Sequence, residues 1–264
     1  MTKTTDESVP IWLEGVNGTQ VLPIILDDGD VISVDAGPGT GKTFGLQRRV
    51  QRLLHPKGGN VPGEDVLIVA FNRVIAKELK KLIYKQIEGS LHNGEPTIET
   101  VHAICLKIIG GNLRLLLPNE RSAMLYDIRI LYPKLDERFA DIRAIEQALR
   151  DHEAAISHDD ELWQAAQTWL RRHKCQLISE LPELLLAKIK GGDFGDRRYQ
   201  HIIVDEFQDL TPNLQNLFFK LRKDGGSIMA LGDPRQSIYA FLGNDPNGLS
   251  RIPEMNSDVY SMCR

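Results

Sequence analysis

At 264 residues and 42% hydrophobic content, the chain can bury a sizeable core and is long enough for one large domain or two modest ones. No apolar run approaches the ~20 residues that span a bilayer, and the opening MTKTTDESVP lacks the apolar core of a secretory signal; a soluble cytoplasmic protein with no membrane partner is expected. A net charge of −4 and a pI near 6.0 supply no overall basic field, so any grip on nucleic acid has to come from a local groove.

Short aliphatic runs, each followed by a turn signal and a helix-like stretch, alternate along the chain as in a parallel α/β sheet. The first predicted strand is 31–34 (VISV), followed by AGPGTGKT at 36–43 and a helix. The segment 55–63 (HPKGGNVPG) reads as a surface loop, 66–70 (VLIVA) as a second strand and 97–98 (TI) as a weaker one. Between about 112 and 196 helix periodicity takes over. In ELWQAAQTWLRRHKCQL, after an N-cap near Asp159, Leu162, Ala165, Ala166 and Trp169 share one face. GGDFGD at 191–196 marks the return to the sheet, with strands at 201–204 (HIIV) and 227–231 (SIMAL). These near-continuous apolar strands suit a sheet buried on both faces. The expected division is residues 1–111 and 197–264 for the two parts of an α/β domain, with 112–196 as a helical insertion. Cys105, Cys175 and Cys263 form neither a disulfide framework nor a CxxC knuckle and are expected reduced and mostly buried.

The run Ala36, Gly37, Pro38, Gly39, Thr40, Gly41, Lys42, Thr43 between strand and helix is a phosphate cradle. Its glycines let successive N–H groups point at phosphate oxygens, and the helix that follows adds its positive end. Lys42 would reach the β- and γ-phosphates of ATP and the Thr43 hydroxyl would ligate Mg²⁺. The strict pattern begins with Gly, whereas Ala36 stands here.

A second chemical element, Asp205-Glu206-Phe207-Gln208-Asp209, follows the strand at 201–204. Adjacent acids at the end of a buried strand are costly unless they meet a cation or water. Asp205 can hold Mg²⁺ and Glu206 can activate the attacking water. The bland alternative, acids decorating a helix N-terminus, gives way because a P-loop ATPase needs such a site on a second strand.

A third element, GDPRQSIYAF at 232–241, again ends a strand. With it, the sequence resembles the UvrD/Rep family of superfamily 1 DNA helicases. AGPGTGKT resembles the family's first motif, DEFQD its second and GDPRQSIYAF its third; Val69-Ala70-Phe71-Asn72-Arg73, continuing to Ala76-Lys77-Glu78-Leu79, resembles motif Ia and Thr100-Val101-His102-Ala103 motif Ib. The resemblance runs in order from about Gln20 to Arg264, with the helical block where the family inserts a subdomain. It implies a RecA-like P-loop NTPase fold, a parallel sheet flanked by helices with an all-helical inserted subdomain. It also implies an adenine contact for Gln20, γ-phosphate sensing by Gln236, and DNA contacts for Phe71, Asn72, His102, Tyr239 and Phe241. Taken without the family, Tyr239 and Phe241 read sooner as core aromatics than as base-stacking residues. Phe44, where many relatives carry Arg, has either adenine stacking or core packing open to it. Motif III departs from the family at Leu242-Gly243, where aromatic-Arg-Gly is usual. The segment 259–264 resembles the start of motif IV, which makes Arg264 a candidate arginine finger, and motifs V and VI do not follow. The expected activity is that of an ATP-dependent single-stranded DNA translocase or helicase, present as its ATP-binding first half. The alternatives are an ATP- and DNA-binding module without unwinding, or one half of a split helicase acting with a separately encoded second motor domain. The expected partner is single-stranded or partly duplex DNA.

Overall fold

Six strands form one fully parallel sheet in the computed structural model, which describes residues 9–18, 21–87, 93–153, 157–192, 198–236, 248–251 and 258–262. They are β1 (Val31–Ala36), β2 (Val66–Ala70), β3 (Thr97–Thr100), β4 (Tyr199–Val204), β5 (Arg222–Gly232) and β6 (Asp258–Met262), in the order β3-β2-β4-β5-β1-β6. Five of them coincide with the predicted apolar runs. β6 was not legible as a strand because DVYSM has only a short apolar core; it pairs with β1, Val34 opposite Tyr260. β5 also begins earlier than its apolar run, at Arg222, beside a register shift in β4 between Tyr199 and His201.

Every interior strand is apolar on both faces because helices cover both. On one side α1 (Leu22–Leu26), α2 (Lys42–Leu54) and α3 (Arg73–Ile87) pack Ile24, Leu46, Val50 and Ile83 against Ile32, Ile68 and Ile203. On the other, α4 (Val101–Ile109), α9 (Leu181–Lys190) and α10 (Pro212–Leu221) pack Ile104, Leu185 and Phe218 against Leu67, Ile202 and Ile228. α10 begins where Thr211 accepts the Leu214 N–H and Pro212 occupies the first helical turn. The short α11 (Gly248–Arg251) contributes Leu249 to the same layer. This is the RecA-like arrangement of a parallel sheet flanked by helices.

Between β3 and β4 in sequence lie α5 (Pro118–Leu131), α6 (Pro133–Arg138), α7 (Ile142–Glu153) and α8 (Asp160–His173). These build a separate apolar cluster from Met124, Ile128, Leu135, Ile145, Leu149, Leu162, Ala166 and Trp169. Asp159 Oδ1 accepts the Leu162 N–H at 3.0 Å, so the sequence cap starts α8, and Lys174 closes it in the left-handed region at φ 52°. α9 falls within the stretch 112–196, yet its Leu181 and Leu185 are buried in the sheet's layer rather than in this cluster. Cys105 and Cys175 are free and buried, and burial pushes the Cys105 thiol up to about 12; Cys263 lies outside the described residues. No helix among the described residues is long and apolar enough to cross a membrane.

Candidate nucleotide site

Strand order decides which loops meet. β4, β5 and β1 are neighbours, so the turns that leave their carboxyl ends gather at one stretch of the sheet edge. After β1 the chain turns through Gly37, Pro38, Gly39 and Thr40, with the Thr40 hydroxyl donating to the Gly37 carbonyl at 2.8 Å. Gly41 stands at φ 93°, a conformation that side chains rarely adopt, and this lets α2 begin directly at Lys42. Ala36, in the place of the first Gly, is fully buried as the last residue of β1. Thr43 is exposed in the first turn. Phe44 is half-buried against the α1–α3 layer, with the Arg48 guanidinium 5.2 Å over its ring. Its ring thus contributes to packing and keeps part of its surface open.

After β4 the Asp205 N–H continues the ladder to the Val69 carbonyl at 3.0 Å, and the chain then breaks sharply at Glu206, φ 52° and ψ 46°. A left-handed Glu costs about 1–2 kcal/mol, the kind of strain that collects at functional turns. The turn buries Phe207 and Gln208 and leaves Glu206 Oε1 3.4 Å from Lys42 Nζ. Burial, and then the neighbouring Glu206 charge, raise the Asp205 carboxyl to about 6 against the pull of Lys42. Asp209 is raised for the same two reasons, and its Oδ1 is buried without a hydrogen-bond partner.

The turn after β5 completes the group. Asp233, 3% exposed, accepts from Arg235 Nε on Oδ1 at 2.9 Å and from Gln236 Nε2 on Oδ2 at 2.6 Å. Burial alone would raise the Asp233 carboxyl, but these hydrogen bonds hold it below the usual range. Arg235 also reaches Asp35, at the end of β1, at 3.5 Å. Gln208 Nε2 donates to Glu206 Oε2 at 2.8 Å, and Gln208 Oε1 accepts the Asp233 N–H at 3.2 Å. Gln208, Asp233 and Arg235 do not stand out in the sequence, although all three lie inside the quoted motifs; only the adjacency of β4 and β5 shows that they touch.

The other half of the same edge belongs to β2 and β3. Phe71 is 36% exposed at the end of β2. Asn72 caps α3, its Oδ1 accepting the N–H groups of Val74 and Ile75 at 2.9 Å each. His102 is half-buried in α4, and burial followed by the Arg73 charge lowers its pKa. Arg73, Lys77 and Lys80 recur along one side of α3 and line a crevice of about 340 Å³ with Glu99, Thr100 and Ala103. The sequence motifs single out Phe71, Asn72 and His102 as DNA contacts; Arg73 and Lys77 lie within motif Ia without being singled out, and the four- and three-residue spacing that adds Lys80 was the available signal for the stripe. Gln20, Tyr239, Phe241 and Arg264 lie outside the described residues.

A family profile described as an AAA domain matches residues 25–242, which takes in the P-loop and the turns after β2, β3, β4 and β5. The chain is 27% identical to the ATP-dependent DNA helicase UvrD1 of Mycobacterium leprae over 96% of its own length and 37% of that protein's. It is 26% identical to SRS2 of Saccharomyces cerevisiae, covering 88% of the chain and 24% of the relative. With PcrA of Bacillus subtilis it shares 25% identity over 88% of the chain and 34% of the relative. The chain belongs to this AAA-domain family, in its UvrD/Rep-like branch. It spans 24–37% of the length of these three helicases. The UvrD/Rep-like domain therefore has the glycine-rich turn after β1 and the acidic turn after β4 on one edge of the sheet, on either side of β5, with an exposed basic helix beside them.

Proposed function

We propose that this chain binds ATP with Mg²⁺ at the β4-β5-β1 edge, hydrolyses the γ-phosphate, and grips single-stranded DNA along the β3-β2 half, as the ATP-binding part of a helicase motor. The observation that carries the reading is the approach of Lys42 to Glu206 across two strands, with Asp205 beside them. Lys42 and the P-loop amides would hold the phosphates, Glu206 would take a proton from the attacking water, and Gln236 would report on the γ-phosphate. The donor set suits Mg²⁺: Thr43 offers a hydroxyl and Asp205 a carboxylate that lacks enough positive charge around it. Among the described residues no cluster of three or more His, Cys, Asp or Glu stands ready for a metal. A cation here would be bound by few side chains together with substrate phosphates. When bound, Mg²⁺ would offset charge on the phosphate oxygens.

Gln20 and Phe44 would meet the adenine, and Arg264 would serve as an arginine finger. Phe71, Asn72 and His102, joined by Arg73, Lys77 and Lys80, would line the DNA path, with Tyr239 and Phe241 stacking on bases. Strand separation requires a second domain to close over the nucleotide, whether in the same polypeptide or encoded separately. Relatives named as DNA helicases support the substrate. Calorimetric titration of the chain with ATP and Mg²⁺ tests the core of the reading: binding is expected for the wild type and abolished in Lys42→Ala. Equal affinities would remove the phosphate-cradle assignment.

A further inference from the structure

Glu206 and Gln236, the two side chains expected to respond to the γ-phosphate, sit on different turns, and one buried amide joins them. Gln208 is 1% exposed. A backbone N–H can only donate, so the oxygen of the Gln208 amide has to face the Asp233 N–H, 3.2 Å away, and its NH₂ has to face Glu206 Oε2, 2.8 Å away. Beyond Asp233 the chain of bonds continues to Gln236, and beyond Glu206 it continues to Lys42. The five residues form one line, joined at Asp233 through its backbone N–H, from α2 across the β4 turn to the β5 turn.

Gly232 shows that the fold keeps room for this amide. A methyl group built on Gly232 would overlap Gln208 Oε1, and no positive φ accounts for glycine there. Turning the amide away would strand the buried Asp233 N–H on one side and leave the part-exposed Glu206 carboxylate to water on the other. The amide therefore ties any movement of the Glu206 carboxylate, as when phosphate draws Lys42 away from it, to the turn 233–236.

We infer that Gln208 is a positioning residue that locks Glu206 to the turn carrying Gln236, so that what Glu206 meets at the nucleotide is transmitted to that turn and, along the chain, to the proposed DNA contacts Tyr239 and Phe241. The inference rests on the proposed nucleotide and DNA sites. It differs from a purely structural amide in requiring that the coupling between the two ligands, and not only the stability of the fold, run through Gln208.

The test measures that coupling on the 264-residue chain. A fluorescent non-hydrolysable ATP analogue with Mg²⁺ and a labelled oligothymidylate are each titrated with and without the other. In the wild type each ligand is expected to change the other's Kd by the same factor, roughly fivefold or more. Gln208→Met, which keeps the length of the side chain but cannot donate to Glu206, should keep each ligand's separate Kd within about twofold while the factor falls to about one. Gly232→Ala provides a second route, because it displaces the amide without altering it; added to Gln208→Ala it should do nothing further, since the atom it strikes is gone. Melting curves identify the variants that remain folded. Full coupling in any folded Gln208 or Gly232 variant overturns the inference. A wild type that binds both ligands independently also overturns it but leaves the nucleotide site standing, whereas a wild type that binds no nucleotide sinks the reading of the site itself.

Discussion

The two edges of the sheet hold buried charge of opposite sign. At the amino-terminal edge Arg49, 1% exposed, donates to the carbonyls of Ile24 at 3.1 Å and Asp27 at 2.6 Å. Burial, and then repulsion from Arg52, lower the Arg49 guanidinium to about 10. Arg52 pairs with Asp28 at 2.6 Å and Lys223 with Asp65 at 2.6 Å, while half-buried His201 hydrogen-bonds Ser227 Oγ at 2.7 Å. At the carboxyl-terminal edge the excess is acidic: Asp35, Asp205, Glu206, Asp209 and Asp233 gather around Lys42 and Arg235. Both edges keep some buried polar atom without a hydrogen-bond partner, Arg49 Nε on one and Asp209 Oδ1 on the other. The difference lies in use. Cations at the first edge tie α1 to α2 through backbone carbonyls and serve the fold. Acids at the second edge repel each other, which suits the dication proposed to bind there with the nucleotide.

That contrast is sharpest at Glu206. Glu206→Gln keeps the shape of the turn and removes the base, so ATP turnover should fall by about 10²–10⁴ while nucleotide binding persists. Single-turnover kinetics beside an equilibrium titration would separate the two, and turnover retained in the variant would take the acidic edge out of the chemistry. Chelating the divalent cation tests the same edge from the other side. ATP affinity should weaken roughly tenfold or more, since losing even one close charge pair at an effective dielectric of about 20 exceeds the 1.4 kcal/mol that tenfold represents. Affinity indifferent to chelation would mean that the acids do not face the phosphates.

Along the same edge, the β3-β2 half is expected to behave as a basic surface rather than as a chemical site. Replacing Lys77 and Lys80 with Ala should lower the salt dependence of oligothymidylate binding, by about 0.7 in the slope of log K against log salt for each phosphate that is no longer neutralised. Binding measured at several salt concentrations gives the slope directly. An unchanged slope would move the DNA path away from α3.

How much of this was legible in the sequence depends on what each feature needed. The phosphate cradle and the DEFQD turn stood out because the chemistry demands particular residue types at fixed spacing, and four strands were marked by apolar runs buried on both faces, whereas the edge strand β3, TIET, alternates and was marked only weakly. β6 escaped because DVYSM gains its strand conformation from pairing with β1 rather than from its own composition. The Gln208 bridge escaped because Gln208 and Asp233 are 25 residues apart and meet only through the β4–β5 register. The packing of α9 escaped for a similar reason: helix periodicity shows that a face is apolar, not which layer it joins, and Leu181 and Leu185 join the sheet. The charge at the amino-terminal edge was invisible for the opposite reason, since Arg49 reads as one more exposed residue of a basic helix until the carbonyls of α1 close over it.

The smallest predicted effect belongs to that closed edge. His201 is lowered from 6.5 to about 4, first by burial and then by Arg49, with Arg52 adding to the repulsion and Asp28 and Asp65 opposing it. In the unfolded chain the imidazole takes up its proton near 6.5 and in the folded chain only near 4, so across this window the unfolded state binds more protons. Stability is therefore full above pH 6.5 and declines as the pH falls towards 4; one shifted unit is worth about 1.4 kcal/mol, which for a half-buried ring gives about 1–3 kcal/mol in all. His201→Gln cannot charge and can keep a hydrogen bond to Ser227. Urea denaturation of the variant between pH 6.5 and 4 should show a shallower loss of stability than the wild type, with nucleotide affinity unchanged at every pH. An equal slope in both proteins would mean that His201 is not buried against Arg49 as described. A change in ATP binding would break the comparison, because it would couple the amino-terminal edge to the phosphates at the far ends of the same strands.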